Sequence, residues 1–258
     1  MPSPSPDWLV ESCRTLAPGA GYNGLVRIPV VVLVGVAACG FHPTAIGDDV
    51  VGDDASTTGS GGDGSDGSNA ITMTTFGECS TCEHTGVTLD TYIDSSNITQ
   101  VHADTFIWAD QAPTINGLLR FDISALPTTA TVMSAELDVT TTQDSLESGT
   151  LDFHEVLEAW DPAATWQART SVLSWASAGA AQPNSQGSLV VGSVVPNVDN
   201  TKYTLPLDTA TVQRWVAMPA TNYGLVLLST SPTGNGTTVS GTREPNAALR
   251  PVLRIRYR

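Results

Sequence analysis

The sequence predicts an all-β fold, and three observations lead to this prediction. Charged residues make up only 14% of the 258 residues, and small residues such as Gly, of which there are 23, are frequent. Residues 118–123 and 132–139 alternate apolar and polar side chains with a period of two, as strands with one buried face do. Further short apolar runs, separated by Pro, Gly, Asn or Asp, continue from about residue 88 onward.

The two alternating stretches are the predicted centre of the domain. Residues 124–129 between them are too few for a crossover helix, so we expect the two strands to be antiparallel neighbours in one sheet. Arg120 would then lie near Glu136 or Asp138 and form a modest cross-strand ion pair. The remaining strands are expected to close over the apolar face of this pair.

Ten strands and one helix are expected in this region. The strands are predicted at 88–94, 104–108, 118–123, 132–140, 150–156, 188–194, 202–207, 224–228, 237–241 and 252–257. The helix begins after Asp208 or Thr209, which act as its N-cap, and ends before Pro219. The residues of its apolar face are Val212, Trp215 and Val216. Short strands with one helix indicate a β-sandwich of jelly-roll type.

The region ahead of the strands predicts export. Arg27 precedes an apolar run that ends in small residues and Cys39, which is the pattern of a secretory signal peptide and is too short to span a bilayer. A Cys directly after small residues also resembles the lipidation site of bacterial lipoproteins, so Cys39 is the predicted lipidated residue. An ordinary signal-peptidase site and a buried apolar segment are the alternatives. Gly40 after this Cys favours the outer membrane.

The chain divides into three predicted parts. Residues 1–39 are a leader and lipoprotein signal peptide, with translation expected to start at Val26. Residues 40–86 are a disordered acidic tether rich in Gly, Ser and Asp, because they have too little apolar content to offset the entropy of ordering. Residues 63–67 lack the distal Glu of an EF-hand, so a flexible spacer is preferred there over a calcium loop. Residues 87–258 are the β domain.

All four cysteines precede residue 87, so the domain is expected to fold without a disulfide. For Cys79 and Cys82 three roles are open: redox activity, half of a metal site, and a local disulfide. A local disulfide at the domain entrance is the preferred role in an exported protein.

A set of motifs follows in an order that resembles a known family. The motifs are 90–93, 118–124, 126–127, 134–137, Trp160, 164–166, 207–209, 212–215, Asn222-Tyr223-Gly224-Leu225, 241–246 and 250–253. Over about residues 87–258 the chain resembles the DNRLRE-domain family, grouped with carbohydrate-binding module family ninety-six. The resemblance implies a β-sandwich of a secreted or surface-attached bacterial protein; some members bind alginate. The Asn-then-Gly turn expected after the first strand is degraded here, with Asn97 and no nearby Gly, and no catalytic domain accompanies the module.

Composition and motifs limit the function. An acidic domain with a single Lys, Lys202, is a poor nucleic-acid binder, because that affinity comes from neutralising phosphates. The four His residues form no catalytic pattern, and no nucleophile elbow is present. Paired carboxylates of the glycosidase kind are one interpretation of the acidic residues in 152–161, and a solvated strand face is the other. We therefore expect a non-enzymatic monomer, attached to the membrane only through its lipid, and the family resemblance implies that it binds polysaccharide. The alternative is a structural or adhesion module that binds protein.

Three residues are candidate ligand contacts. Trp108 ends a predicted strand, where an aromatic ring can stack on a sugar, whereas Trp160, Trp166 and Trp215 are expected to pack in the core. Arg254 and Arg256 alternate with apolar residues in the last strand and are expected on one exposed face. They would bind carboxylates of an acidic glycan; the alternative is that they protect a sheet edge.

A further group, formed by Asp90, Arg243 and Glu244, is expected to have a structural role. Carboxylates near the end of a sandwich can hold a structural calcium ion, and calcium is the one cofactor that the sequence suggests. An Arg–carboxylate pair that fixes the terminal strands is the simpler interpretation.

Overall fold

The computed structural model describes residues 70–142, 149–231 and 236–258. In these ranges it contains eleven strands, one α-helix (α1) and two short 3-10 helices. The strands are β1 (Thr72–Gly77), β2 (Thr88–Asp94), β3 (Phe106–Gln111), β4 (Thr114–Phe121), β5 (Val132–Thr140), β6 (Leu151–Val156), β7 (Gln186–Val194), β8 (Lys202–Pro206), β9 (Leu225–Ser229), β10 (Thr237–Ser240) and β11 (Val252–Tyr257). The helices are α1 (Thr209–Ala217) and the 3-10 turns Pro219–Thr221 and Ala247–Leu249.

Two antiparallel sheets form the sandwich. The four-stranded sheet has the order β1-β11-β5-β8, and the larger sheet has the order β10-β3-β4-β9-β6-β7. β2 pairs with the edge of β4 that lies opposite β9. Gly117 of β4 pairs with Tyr92 of β2 on this edge and with Leu227 of β9 on the opposite edge. The predicted all-β sandwich with one short helix is confirmed.

The main core lies between the two sheets. It consists of alternate residues of the strands, among them Leu119, Phe121, Leu137, Leu253 and Ile255, all at most 4% exposed. Each such side chain contributes about 1.5–3 kcal/mol by leaving water. The period of two in β5 predicted this burial of Ala135, Leu137 and Val139 on one face.

A second core covers part of the outer face of the larger sheet. Leu118 of β4 and Ile93 of β2 are fully buried there, against Trp160 and Trp175 from the segment that follows β6. Trp166 packs on the same cluster and is half-buried. β4 is therefore covered on both faces, and six of its eight residues are buried.

The predicted pairing of the two alternating stretches is wrong. β4 and β5 lie in different sheets, because β2, β3 and β9 occupy the edges of β4, whereas β11 and β8 occupy those of β5. The period of two is the same for neighbouring strands and for strands that face each other across a sandwich, so it does not distinguish the two cases. Arg120 accordingly pairs with neither Glu136 nor Asp138.

The predicted domain boundary at residue 87 is also wrong. β1, within the predicted tether 40–86, pairs with β11 over six residues, and its Phe76 is fully buried in the main core. The segment that carries Cys79 and Cys82 therefore belongs to the sandwich. The predicted leader 1–39 and most of the tether lie outside the described residues. No helix among the described residues is long and apolar enough to cross a membrane.

The predicted helix is confirmed. The Asp208 carboxylate caps α1 by accepting bonds from the hydroxyl and the N–H of Thr211, at 2.7 and 2.8 Å, and these two bonds lower the pKa of Asp208. The residues that α1 buries include Val212, Trp215 and Val216. This packing places Arg214, near the C-terminal end of α1, beside β6.

Candidate ligand-binding groove around Tyr223

Two surface depressions adjoin at Tyr223, and together we call them the Tyr223 groove. One has a volume of about 290 Å³ and the other of about 310 Å³. The first is lined by Arg120, Asp122, Ser124, Pro219, Ala220, Asn222 and Tyr223. The second is lined by Glu155, Val156, Leu157, Arg214, Met218, Thr221 and Tyr223. The lining comes from the end of β4, from β6 and from the connection between α1 and β9.

The segment Asn222-Tyr223-Gly224 is fixed against the end of β4. The side-chain amide of Asn222 donates to the carbonyl oxygen of Phe121 at 2.7 Å, and its oxygen accepts the N–H of Gly224 at 3.1 Å. Gly224 has φ +83°, and a Cβ there would clash with the carbonyl oxygen of Leu119, so only Gly fits. These contacts define the path of the backbone on both sides of Tyr223.

The backbone of Tyr223 itself is held from a second direction. Its carbonyl oxygen accepts the indole N–H of Trp160 at 2.7 Å, and its own N–H donates to Thr221 at 3.1 Å. The N–H of Val156 donates to Gly224 at 2.9 Å. The half-buried Tyr223 side chain packs against the second core. Tyr223 is therefore positioned before any ligand arrives, which reduces the entropy lost on binding.

Arg214 and Glu155 form an ion pair on the β6 side of the groove. Nη2 of Arg214 lies 2.6 Å from one carboxylate oxygen of Glu155, and the other oxygen accepts the indole N–H of Trp215 at 2.8 Å. The Glu155 side chain is 16% exposed and that of Arg214 is 45% exposed. Among the described residues Arg214 makes no other side-chain hydrogen bond or ion pair within 4 Å, and its positive charge also lowers the pKa of Asp208.

The β4 side of the groove has a second cation and a second carboxylate. Asp122 is exposed and accepts the N–H of Ser124 at 2.9 Å. Hydrogen bonds from Ser124 and the nearby positive charge of Arg120 lower the pKa of Asp122, so it is ionised at neutral pH. Within the described residues Arg120 makes no side-chain hydrogen bond or ion pair closer than 4 Å, and it is half-buried where it lines the groove.

This arrangement offers the groups that bind a polar ligand with an apolar face. The ring of Tyr223 offers an apolar face, and the charged groups on its two sides offer hydrogen-bond donors and acceptors. A carboxylate with a lowered pKa, such as Asp122, is a poor general acid. The acidic residues of 152–161 each have separate partners: Ser193 for Asp152, Arg214 and Trp215 for Glu155, Ser185, Ala176 and Arg169 for Glu158, and Ala163 for Asp161.

Trp108, the predicted sugar contact, lies outside the Tyr223 groove. It is half-buried in β3 and meets Tyr92 edge-on, with 6.0 Å between the ring centroids. Tyr92 in turn stacks on His102 at 3.9 Å and on Phe106 at 5.9 Å. The structure thus places Trp108 in an aromatic cluster between β2 and β3.

The terminal arginines do not lie on a sheet edge, so the edge-protection interpretation is wrong. β11 lies between β1 and β5, and Arg254 binds the carboxylate of Asp138 with both terminal nitrogens, one of them at 2.9 Å. Thr204 donates to the same carboxylate at 2.6 Å, and the Lys202 ammonium lies 3.9 Å away. Arg254 therefore has an internal partner, whereas Arg256 is exposed.

Asp90 and Arg243 form a looser pair. Nη1 of Arg243 lies 3.6 Å from Oδ1 of Asp90, which also accepts the hydroxyl of Thr242. The guanidinium donates to the backbone carbonyls of Asp104 and Asp90 at 3.0 and 3.4 Å. Oδ2 of Asp90 is buried and has no hydrogen-bond partner among the described residues, and burial raises the pKa of Asp90.

Glu244, the third residue of the predicted group, does not join this pair. Its carboxylate accepts the N–H of Asn246 at 3.0 Å, and its carbonyl oxygen accepts Nε of Arg250 at 2.6 Å. The described part of the chain has no cluster of three or more His, Cys, Asp or Glu side chains that could hold a metal ion. The interpretation that the geometry favours for Asp90 and Arg243 is the Arg–carboxylate pair.

Cys79 and Cys82 are joined in a disulfide, with their Cα atoms 5.2 Å apart. Cys79 lines a groove of about 260 Å³ on the four-stranded sheet, beside Asp138, Lys202 and Arg254. Cys39, the predicted lipidation site, lies outside the described residues.

No protein-family model matches the chain, and no curated protein matches it either. The geometry of the Tyr223 groove is therefore the main indication of function. The sequence did not show that its charged residues share one site, since they lie on three separate segments. Indications were present: 118–124, 212–215, Asn222-Tyr223-Gly224 and Trp160 are all among the motifs that carry the family resemblance.

Proposed function

We propose that this chain is a non-catalytic carbohydrate-binding module, exported and lipid-anchored at the bacterial cell surface in the outer membrane. We further propose that the Tyr223 groove binds its polysaccharide. The observation that carries the proposal is the prepositioned Tyr223, with Arg120 and Asp122 on one side and Arg214 and Glu155 on the other.

This geometry matches the chemistry of a sugar. One face of a sugar ring carries C–H groups that pack on an aromatic ring, while its hydroxyls need donors and acceptors around the edge. Charge-assisted hydrogen bonds from guanidinium and carboxylate groups are stronger than neutral ones. Because the Tyr223 backbone is held by Trp160 and by its link to Asn222 and Gly224, little ordering is required on binding.

The proposed location depends on the sequence. The apolar run that ends at Cys39 supports lipid attachment, and the resemblance to the DNRLRE-domain family supports a surface module. Replacing Cys39 by Ser should move the protein from the membrane fraction to the soluble fraction; unchanged fractionation of the variant would contradict anchoring at this residue.

The binding proposal is tested with the chain that lacks only the predicted signal peptide. We expect retention on at least one member of a polysaccharide panel in affinity electrophoresis, and about tenfold weaker binding of Tyr223→Ala. Arg256→Ala is the matched control, since it removes an exposed side chain away from the groove. Thermal melts of all variants report whether each one folds. Equal retention of wild type and Tyr223→Ala would exclude this groove.

The alternative, a surface module that binds protein, has one observation in its favour. Val172 and Leu173, in the segment that covers the second core, are 85% and 47% exposed. Exposed apolar side chains of this kind occur at protein interfaces. A polysaccharide panel that retains neither wild type nor variants would favour this alternative over glycan binding.

A further inference from the structure

We infer that the Tyr223 groove selects neutral polysaccharide and discriminates against polyuronates. This inference rests on the proposed function, because it specifies the ligand class of the same groove. Three features carry it: the balance of charge in the groove, the chemistry of hydroxyl recognition, and the position of the other cations.

The groove has no net charge. Its charged side chains are two cations, Arg120 and Arg214, and two carboxylates, Asp122 and Glu155; its other lining residues are uncharged. A polyuronate carries one negative charge on each sugar residue. Such a chain gains no net attraction in a neutral groove, and the surrounding domain, with eighteen acidic against nine basic residues in 70–258, repels it.

Each carboxylate also has a direct effect on the ligand. Glu155 lies 2.6 Å from the guanidinium of Arg214, so a uronate carboxylate that approached this cation would also approach an anion. Asp122 has a lowered pKa and keeps its charge, and it places a second anion next to Arg120. Like charges in close juxtaposition oppose binding at an interface.

A neutral sugar, in contrast, is not repelled by the two carboxylates of the groove. A hydroxyl donates one hydrogen bond and accepts others, so neighbouring hydroxyls can donate to a carboxylate and accept from the adjacent guanidinium. Both sides of Tyr223 present this donor and acceptor combination. The two depressions therefore suit successive hydroxyl-rich sugar residues on either side of one aromatic ring.

Of the two cations that the sequence assigned to an acidic glycan, Arg254 already has a buried partner, and the exposed Arg256 does not line the Tyr223 groove. Arg254 binds Asp138 through both carboxylate oxygens, and Asp138 is 1% exposed. A uronate would have to displace this buried carboxylate, which would be left without its main partner. The groove beside Arg254 therefore offers a polyuronate fewer free guanidinium donors than the alternation in the last strand suggested.

The test compares neutral polysaccharides, namely a β-glucan, a mannan and a galactan, with two polyuronates, alginate and polygalacturonate. The chain without its signal peptide is analysed by affinity electrophoresis at about 0.02 M and about 0.5 M salt, which changes the screening length severalfold. We expect retention by a neutral polysaccharide at both salt concentrations and no retention by either polyuronate.

Two variants sharpen this test. Asp122→Asn and Glu155→Gln each remove one negative charge and keep the shape of the side chain, so each should weaken neutral-glycan binding about tenfold and leave the groove net positive. Glu136→Gln is the matched control, because its side chain is 52% exposed on the four-stranded sheet. This variant should change the retention by neutral polysaccharides and by polyuronates in no measurable way. Because Glu155 also holds Trp215, the more exposed Asp122 provides the variant that is easier to interpret.

The outcomes separate the inference from the proposed function. Retention of wild type by a polyuronate at low salt, lost at high salt, overturns the inference while glycan binding stands. Unchanged neutral-glycan binding by folded Asp122→Asn and Glu155→Gln also overturns it. Retention by no polysaccharide at either salt concentration overturns the proposed function itself.

Discussion

Asp138 and Asp90 are both 1% exposed and both lie beside an arginine, but the two arginines hold them differently. Arg254 reaches both oxygens of Asp138, and Thr204 donates to the same carboxylate at 2.6 Å. Arg243 reaches one oxygen of Asp90 at 3.6 Å, which is beyond hydrogen-bond distance, and the second oxygen has no partner among the described residues.

The comparison shows that burial and a nearby cation do not by themselves stabilise a charge. A buried carboxylate loses its hydration, and only hydrogen bonds to both oxygens with good geometry compensate for that loss. Asp138 meets this condition. Asp90 does not, and desolvation raises its pKa in spite of Thr242 and Arg243.

The largest effect is expected from removing β1, which flanks the strand that carries Arg254. A chain that begins at residue 86 loses six residue pairs with β11 and the fully buried Phe76. Loss of a buried Phe side chain alone costs about 3–5 kcal/mol. We expect the chain from residue 70 to melt cooperatively and the shorter chain to melt at much lower temperature or without a cooperative transition. Equal melting temperatures would show that β1 is dispensable.

Arg254→Gln should be the next most damaging change. It leaves buried Asp138 without its bidentate partner, and Lys202 at 3.9 Å replaces only part of that interaction. Because the Arg254 side chain is 30% exposed, we expect a loss of about 2–4 kcal/mol in urea unfolding, at or below the range for a buried pair. Arg256→Gln, in the same strand and exposed, is the control and should stay within about 0.5 kcal/mol.

Arg243→Gln should cost less, about 1 kcal/mol, since its ion pair is long and Asp90 can take up a proton. The measurement is the same urea titration at neutral pH. A cost as large as that of Arg254→Gln would mean that the hydrogen bonds of Arg243 to backbone carbonyls, and not the ion pair, connect the strands.

The smallest effect, and the most specific one, is the pH dependence of Asp90. Burial raises the pKa of Asp90 above its value in the unfolded chain, about 3.9. The stability that Asp90 contributes is therefore fully present below that value and is lost as pH rises through the folded-state pKa. We expect Asp90→Asn to become more stable relative to wild type as the pH is raised from about 4 to about 7. A difference that stays constant over this range would contradict the raised pKa.

Much of the local structure could be predicted from the sequence. The alternation in 132–139 predicted β5, and the cap at Asp208 with the following Pro219 predicted both ends of α1. β1 was missed because Thr72–Gly77 has only two large apolar residues and follows a segment rich in Gly and Asp. The sheet of each strand could not be predicted, since the pattern of burial is the same for a neighbour and for a facing strand.

The candidate site was harder to predict than the fold. Arg120, Glu155 and Tyr223 lie far apart in the sequence, and β9 brings them together by pairing with β4 on one edge and β6 on the other. Pairings over such separations leave no local pattern. Trp108 and Arg254 were selected from local strand patterns, which show the direction of a side chain but not what it meets.

The pairing of β1 with β11 has a mechanical consequence. Thr72, where the chain enters the sandwich, lies opposite Tyr257, and the two strands run antiparallel over six residue pairs. Tension on the chain ahead of Thr72 is transmitted to the domain through this ladder. A pull along β1 loads all of its hydrogen bonds at once, whereas a pull across the sheet opens them one after another from Thr72. The force at which the module unfolds therefore depends on the direction of pulling, even though its free energy of unfolding in the absence of force does not.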